Sequence, residues 1–160
     1  MAPQIDSVDP MDEAAVDALS RYFAELDQRF ETGFDPGDTI TDDANLFRPP
    51  DGVLLLARRD FELVACGAVR RLYPGVAEIK RMWVNPIWRG HGMGRRMLLA
   101  LEDHAGRLGC DTVRLDTNSA LTEAIALYTS SGYRAIERYN DNPFAKRWFE
   151  KKLDRSQIRS

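Results

Sequence analysis

Two cysteines and two histidines are all that this 160-residue chain offers of the side chains that favour zinc and copper, and neither pair has metal-binding spacing. Cys66 falls in an expected strand and Cys110 just past an expected helix, so both read as small buried residues rather than as a redox or metal pair. His91 and His104 stand apart and are expected at the surface, which leaves no metal site. The sequence also lacks an apolar run long enough to cross a bilayer, and its opening Met-Ala-Pro-Gln-Ile-Asp has neither the basic nor the apolar region of a secretion signal. A cytoplasmic protein with no membrane partner is expected, organised as one domain over residues 1–160. Internal repeats and low-complexity segments are missing too.

A strong excess of either charge is likewise missing. The net charge is −3 and the isoelectric point about 5.4, which argues against a nucleic-acid partner despite Lys151, Lys152, Arg155 and Arg159 near the end of the chain. The balance hides an asymmetry: residues 1–43 hold 12 of the 25 acids but only Arg21 and Arg29 of the 22 bases. The basic remainder suits a polyanionic ligand. The acidic part either attracts a cationic amine or is a solvated helix face.

What is present is a pattern of strands and helices. Gln4 to Val8 reads as a short edge strand, and Val16, Leu19, Phe23, Leu26 and Phe30 recur at helical spacing within Met11 to Phe30. Glu31 to Asp51, punctuated by Gly33, Pro36, Gly37, Pro49 and Pro50, reads as a long irregular loop. Val53 to Ala57, Phe61 to Leu72 and Val76 to Val84 predict an antiparallel meander. A helix over Gly94 to Leu108 carries Met97, Leu101, Ala105 and Leu108 on one face and ends at Gly109. Thr112 to Leu115 predicts a strand and Leu121 to Ser130 a second helix. Strands over Tyr133 to Arg138 and Lys146 to Lys152 complete a mixed α/β fold with helices flanking the sheet.

Between the third meander strand and its helix stands Arg89-Gly90-His91-Gly92-Met93-Gly94-Arg95-Arg96. A glycine-rich turn opening a helix lets backbone amides approach an anion, because no Cβ intervenes and the helix N-terminus carries partial positive charge. Arg89, Arg95 and Arg96 add cationic groups, so the turn suits a pyrophosphate. It lacks the Gly-Lys-Ser/Thr ending of a P-loop.

Read from Arg89, the turn fits Gln/Arg-x-x-Gly-x-Gly/Ala, with Arg89, Gly92 and Gly94 in register. Here the chain resembles the GNAT superfamily of acyl-CoA-dependent N-acyltransferases. The resemblance is strongest from Ala77 to Tyr133, where Ala-Glu-Ile-Lys-Arg-Met-Trp-Val, the glycine turn, Val-Arg-Leu-Asp-Thr-Asn and Ala-Leu-Tyr-x-x-x-Gly-Tyr follow in the family's order. It implies a GNAT-like fold, a central mixed and mostly antiparallel sheet flanked by helices. It further implies an N-acetyltransferase that uses acetyl-CoA as co-substrate, with no metal, and acts on the primary amine of a small molecule or peptide, as a monomer or a homodimer. A non-catalytic acyl-CoA-binding module is the alternative.

Carried over residue by residue, the resemblance puts main-chain contacts to the pantetheine arm at Met82, Trp83 and Val84, in the manner of an added strand. It puts the pyrophosphate at Arg89, Gly90, His91, Gly92, Met93, Gly94 and Arg95. Tyr128 stands where the family carries the tyrosine that protonates the leaving thiolate, although a tyrosine on an apolar helix face also serves as a core aromatic. Glu78 and Asp116 are the two candidate bases, with Glu78 preferred; Glu78 is equally a partner for Lys80, Arg81 or Arg114. Where many members have an asparagine seven residues before the tyrosine, this chain has Leu121. Asn118 either binds the pantetheine or acceptor, or caps the second helix with Ser119. Acceptor choice is expected to lie in Phe23 to Pro50 and Tyr139 to Phe149.

Overall fold

The computed structural model describes residues 2–154, so Arg155 and Arg159 lie outside the described residues. Seven strands form one sheet: β1 (Gln4–Val8), β2 (Gly52–Arg59), β3 (Glu62–Tyr73), β4 (Val76–Val84), β5 (Thr112–Thr117), β6 (Arg134–Ile136) and β7 (Arg147–Lys152), in the order β1-β2-β3-β4-β5-β7-β6. Every neighbouring pair is antiparallel except β4 and β5, which run parallel. The mixed, mostly antiparallel sheet expected from the sequence is therefore present.

Helices α1 (Glu13–Arg29) and α3 (Met93–Arg107) follow the apolar spacing that predicts them. α1 buries Ala15, Ala18, Leu19, Phe23 and Leu26; α3 buries Met97, Leu101 and Ala105. Strand β2 serves both sides of the sheet because successive side chains alternate. Leu54 and Leu56 join the core beneath α1, while Val53, Leu55 and Ala57 join the core beneath α3 and α4 (Thr122–Ser130). Cys66 and Cys110 are both free and buried. His104, expected at the surface, is half-buried, and desolvation lowers its pKa. Among the described residues no helix is long and apolar enough to cross a membrane.

One expected loop contains a helix. α2 (Thr39–Leu46) falls within the stretch read as irregular, and its sequence Thr-Ile-Thr-Asp-Asp-Ala-Asn-Leu is a poor helix former. Tertiary contacts hold it: Ala44 and the following Phe47 are buried, and Asp43, 1% exposed, takes a two-pronged bond from Arg81 at 2.8 and 3.0 Å. Arg81 has φ +61° at an irregularity where β4 carries extra residues against β3. A non-glycine residue in that region costs about 1–2 kcal/mol, and the Asp43 pair together with the Phe23 ring, 5.4 Å from the guanidinium, offsets it.

The parallel pair shapes the site. Pairing between β4 and β5 covers only Val76–Glu78 against Thr112–Arg114, yet β4 continues to Val84 and β5 to Thr117. Past Glu78 the two strands part, and the far half of β4 has no ladder with β5.

Candidate active site

Two cavities open into this split. The first, about 310 Å³, lies against α1 and the loop before β7; its walls include Tyr22, Phe30, Phe34, Asp116, Asn142 and Phe144. The second, about 370 Å³, runs along Met82–Val84 to the glycine turn. Met82, Leu121, Ala124 and Tyr128 line both, so Tyr128 stands where the cavities meet.

Tyr128 reaches that position because α4 is anchored beneath it, with its ring 5.8 Å from Tyr133 and 6.2 Å from Phe149. Its residue is 5% exposed, and its hydroxyl makes no hydrogen bond to the described residues. Burial pushes the phenol above its ordinary value of 10, so it stays protonated and able to donate. Its neighbour Tyr133 is different: that hydroxyl donates to Glu102 at 2.8 Å and is committed to the core.

The glycine turn presents amides as the sequence suggests. Gly90 and Gly92 adopt φ +84° and +80°, the left-handed region that glycine enters without penalty. A Cβ on either would meet nothing within 4 Å, so the space in front of the turn is open. α3 begins at Met93, and its first amide bond outside the helix proper is Arg96 N to Gly92 O at 3.1 Å. The preceding amides have the orphan status of a helix N-terminus. Gly94 has another reason to be glycine: its Cβ would lie 3.1 Å from Leu127 Cδ2 and 3.8 Å from Val84 Cγ2, so it is there for close packing of α3 on α4. The Met93 side chain is buried in the core, whereas His91 is exposed.

The arginines of the turn are engaged with protein. Arg89 donates from Nη2 to both carboxylate oxygens of Glu25, at 2.7 and 2.8 Å, and from Nε to Val84 O at 3.1 Å. Arg29 joins the same network, bonded to Glu25 at 3.0 Å and to both oxygens of Glu123. α1, the glycine turn and α4 are thereby tied together at the mouth of the second cavity. Arg95 reaches Ser130 Oγ at 3.2 Å, and Arg96 reaches Pro3 O at 2.9 Å. Sequence reasoning missed Glu25, Arg29 and Glu123, which carry no motif and meet only through the fold.

The candidate bases occupy different surroundings. Glu78 is 2% exposed, pairs with Arg70 at 3.1 Å, and accepts from Tyr139 Oη at 2.7 Å; it lines neither cavity. Asp116 lines the first cavity and accepts from Asn140 Nδ2 at 2.5 Å, Lys80 Nζ at 3.3 Å and Asn142 Nδ2 at 3.3 Å. Burial and the Glu78 carboxylate both raise the Tyr139 phenol's pKa, keeping it a donor. Asn118 caps no helix. Its Oδ1 accepts from Ala120 N at 2.8 Å in a local turn, its Nδ2 donates to Phe144 O at 2.6 Å, and α4 starts only at Thr122. Of the pantetheine candidates, the Trp83 side chain is core, donating from Nε1 to Glu25 at 3.3 Å, while Met82 also borders the cavities.

The sheet thus splits between parallel strands, with a glycine-rich helix start at one end of the split and a carboxylate-bearing cavity at the other. The Acetyltransferase (GNAT) family matches residues 17–133. The chain belongs to that family, and is an acyl-CoA acyltransferase. It is 34% identical over 118 residues to a protein of Azospirillum brasilense named IAA acetyltransferase, a match covering 73% of this chain and 77% of that protein. The fold is shared with an acetyltransferase from Streptococcus agalactiae, at TM-score 0.81 and 18% identity over 96% of this chain and 99% of that one. A GNAT acetyltransferase from Elizabethkingia anophelis has acetyl-CoA bound in its crystal structure and shares the fold at TM-score 0.67 and 17% identity, over 95% of this chain and 99% of that one. Among the described residues, no three His, Cys, Asp or Glu side chains group to hold a metal ion.

Proposed function

We propose that the protein transfers the acetyl group of acetyl-CoA directly to the primary amine of a small molecule or peptide. The pantetheine arm runs along β4 at Met82, Trp83 and Val84, where β5 no longer pairs with it. The pyrophosphate meets the amides from Gly90 to Arg95. The amine enters the first cavity, and its nitrogen attacks the thioester carbonyl carbon; the C–S bond then breaks, the thiolate sulfur takes the Tyr128 proton, and the proton that the acylated nitrogen sheds restores the phenol.

The observation that carries this reading is Tyr128: a buried, protonated phenol whose hydroxyl has no hydrogen-bond partner among the described residues, where the two cavities join. Asp116, rather than Glu78, is the proposed acceptor of the ammonium proton, because only Asp116 faces the amine's cavity. Its carboxylate offers about four lone-pair directions, and the three bonds it accepts leave one for the substrate. Lys80, 3.8 Å from Glu78 and 3.3 Å from Asp116, links the two acids. Asn118 supports the acceptor wall by holding the Phe144 carbonyl. Arg89 contributes by fixing the turn to α1.

The test combines calorimetric titration of acetyl-CoA with free-thiol release in the presence of a panel of primary amines. Saturable acetyl-CoA binding and amine-dependent thiol release are expected. Binding with no amine-dependent release would refute transfer, and no binding would refute the cofactor assignment.

A further inference from the structure

Resting on the acyl-transfer reading, we infer that the acceptor is a primary amine borne on a small aromatic group, selected by Phe30, Phe34 and Phe144. These three phenylalanines come from the end of α1, the segment after it and the loop before β7, which are distant in sequence. Their rings meet: Phe30 and Phe144 are stacked at 5.8 Å and 18°, while Phe34 stands edge-on to Phe144 at 4.8 Å and to Phe30 at 6.0 Å. All three line the first cavity, and Phe34 and Phe144 are only partly buried. Aromatic rings favour offset or edge-to-face neighbours, so this wall suits an added aryl ring better than an aliphatic chain.

Size and charge agree. An apolar cavity of about 150 Å³ admits benzene, so 310 Å³ takes an aryl ring and a short aminoalkyl arm. Among the described residues, the only cations lining the cavity, Lys80 and Arg81, are already paired, Arg81 with Asp43 and Lys80 with Asp116. Among the described residues none of these cations is left to receive a carboxylate on the acceptor, which disfavours a free amino acid. Asp116 sits across the cavity's polar side and receives the ammonium. The Phe144 backbone is held independently of its ring, through Asn118 Nδ2 to its carbonyl and its own N–H to Asn142 Oδ1 at 3.0 Å, so the ring can be changed without releasing the loop.

The experiment measures acetyl-CoA-dependent thiol release with phenethylamine, hexylamine, phenylalanine and spermidine, alongside an acetyl-CoA titration of the same protein. Phenethylamine is expected to exceed each of the others in kcat/KM by roughly tenfold or more, on the order expected for one well-matched apolar group. Phe144→Leu and Phe34→Leu should raise its KM several-fold and erase its advantage over hexylamine, with acetyl-CoA affinity unchanged and the folded protein retained. Preference for hexylamine or spermidine, equal use of phenylalanine, or turnover of none of them despite acetyl-CoA binding would overturn the inference while leaving the cofactor assignment intact. Failure of acetyl-CoA itself to bind would instead remove the acyl-transfer reading beneath it.

Discussion

Replacing Tyr128 with Phe separates chemistry from architecture. The substitution keeps the ring that packs 5.8 Å from Tyr133 and 6.2 Å from Phe149, and deletes only a hydroxyl with no hydrogen bond to the described residues. No partner is orphaned, so stability should change by no more than about 0.5 kcal/mol. Acetyl-CoA affinity should hardly move, because the contacts proposed for the carrier are main-chain ones. Turnover is another matter. General acid catalysis is worth about 10² to 10⁴-fold, or roughly 2.7 to 5.4 kcal/mol at about 1.36 kcal/mol per decade. The loss should appear in kcat and kcat/KM together, since the interaction forms as the thiolate departs. Because burial raises the phenol's pKa, the acid stays protonated up to at least its ordinary value near 10, and any alkaline fall in rate below that pH belongs to another group. Steady-state thiol release across pH, with thermal denaturation as control, is the assay. Full kcat in a stable Tyr128→Phe protein would reduce this residue to a core aromatic.

Other consequences follow from the same geometry. Asp116→Asn should lower kcat strongly, whereas Glu78→Gln, acting on a carboxylate outside the cavity that holds Tyr139, should act mainly on KM for the amine; the reverse pattern in a pH–rate comparison would restore Glu78 as the base. Gly92→Val forces a branched residue to φ +80° and fills the open space before the turn, so acetyl-CoA affinity should fall by an order of magnitude or more. Gly94→Ala, whose Cβ would press on the Leu127 side chain rather than the open space before the turn, should lower acetyl-CoA affinity far less than Gly92→Val. Glu123 has its pKa lowered from 4.5 to about 2, chiefly by the Arg29 hydrogen bond. A carboxylate depressed in the folded state contributes stability that is complete above about pH 4.5 and lost as pH falls toward 2. Hydrogen-exchange protection of the α4 amides, corrected for the intrinsic pH dependence of exchange, should therefore fall over that interval, and Glu123→Gln should abolish the dependence.

Much of the architecture was legible because it is local. Apolar spacing in α1 and α3 and the bounds Val76–Val84 of β4 follow directly from sequence, and the run of glycines marks the turn that precedes α3. α2 was not legible: its residues favour no helix, and the Asp43 pair with Arg81 that holds it joins positions 38 residues apart. The preference for Glu78 over Asp116 rested on residue type and motif. Only the parting of β4 and β5 decides which carboxylate faces a cavity. Arg89 could be seen as a cation but not as Glu25's partner, and Phe30, Phe34 and Phe144 carry no mutual signal until three segments converge.

The central claim, direct transfer between two substrates that meet at Tyr128, is tested most directly by mass spectrometry of a single turnover with acetyl-CoA and an accepted amine. The account predicts one acetyl group on the amine for each CoA released, with the intact mass of the protein unchanged at every time point. An acetylated protein that forms before the product, or CoA released with free acetate and unmodified amine, would contradict it.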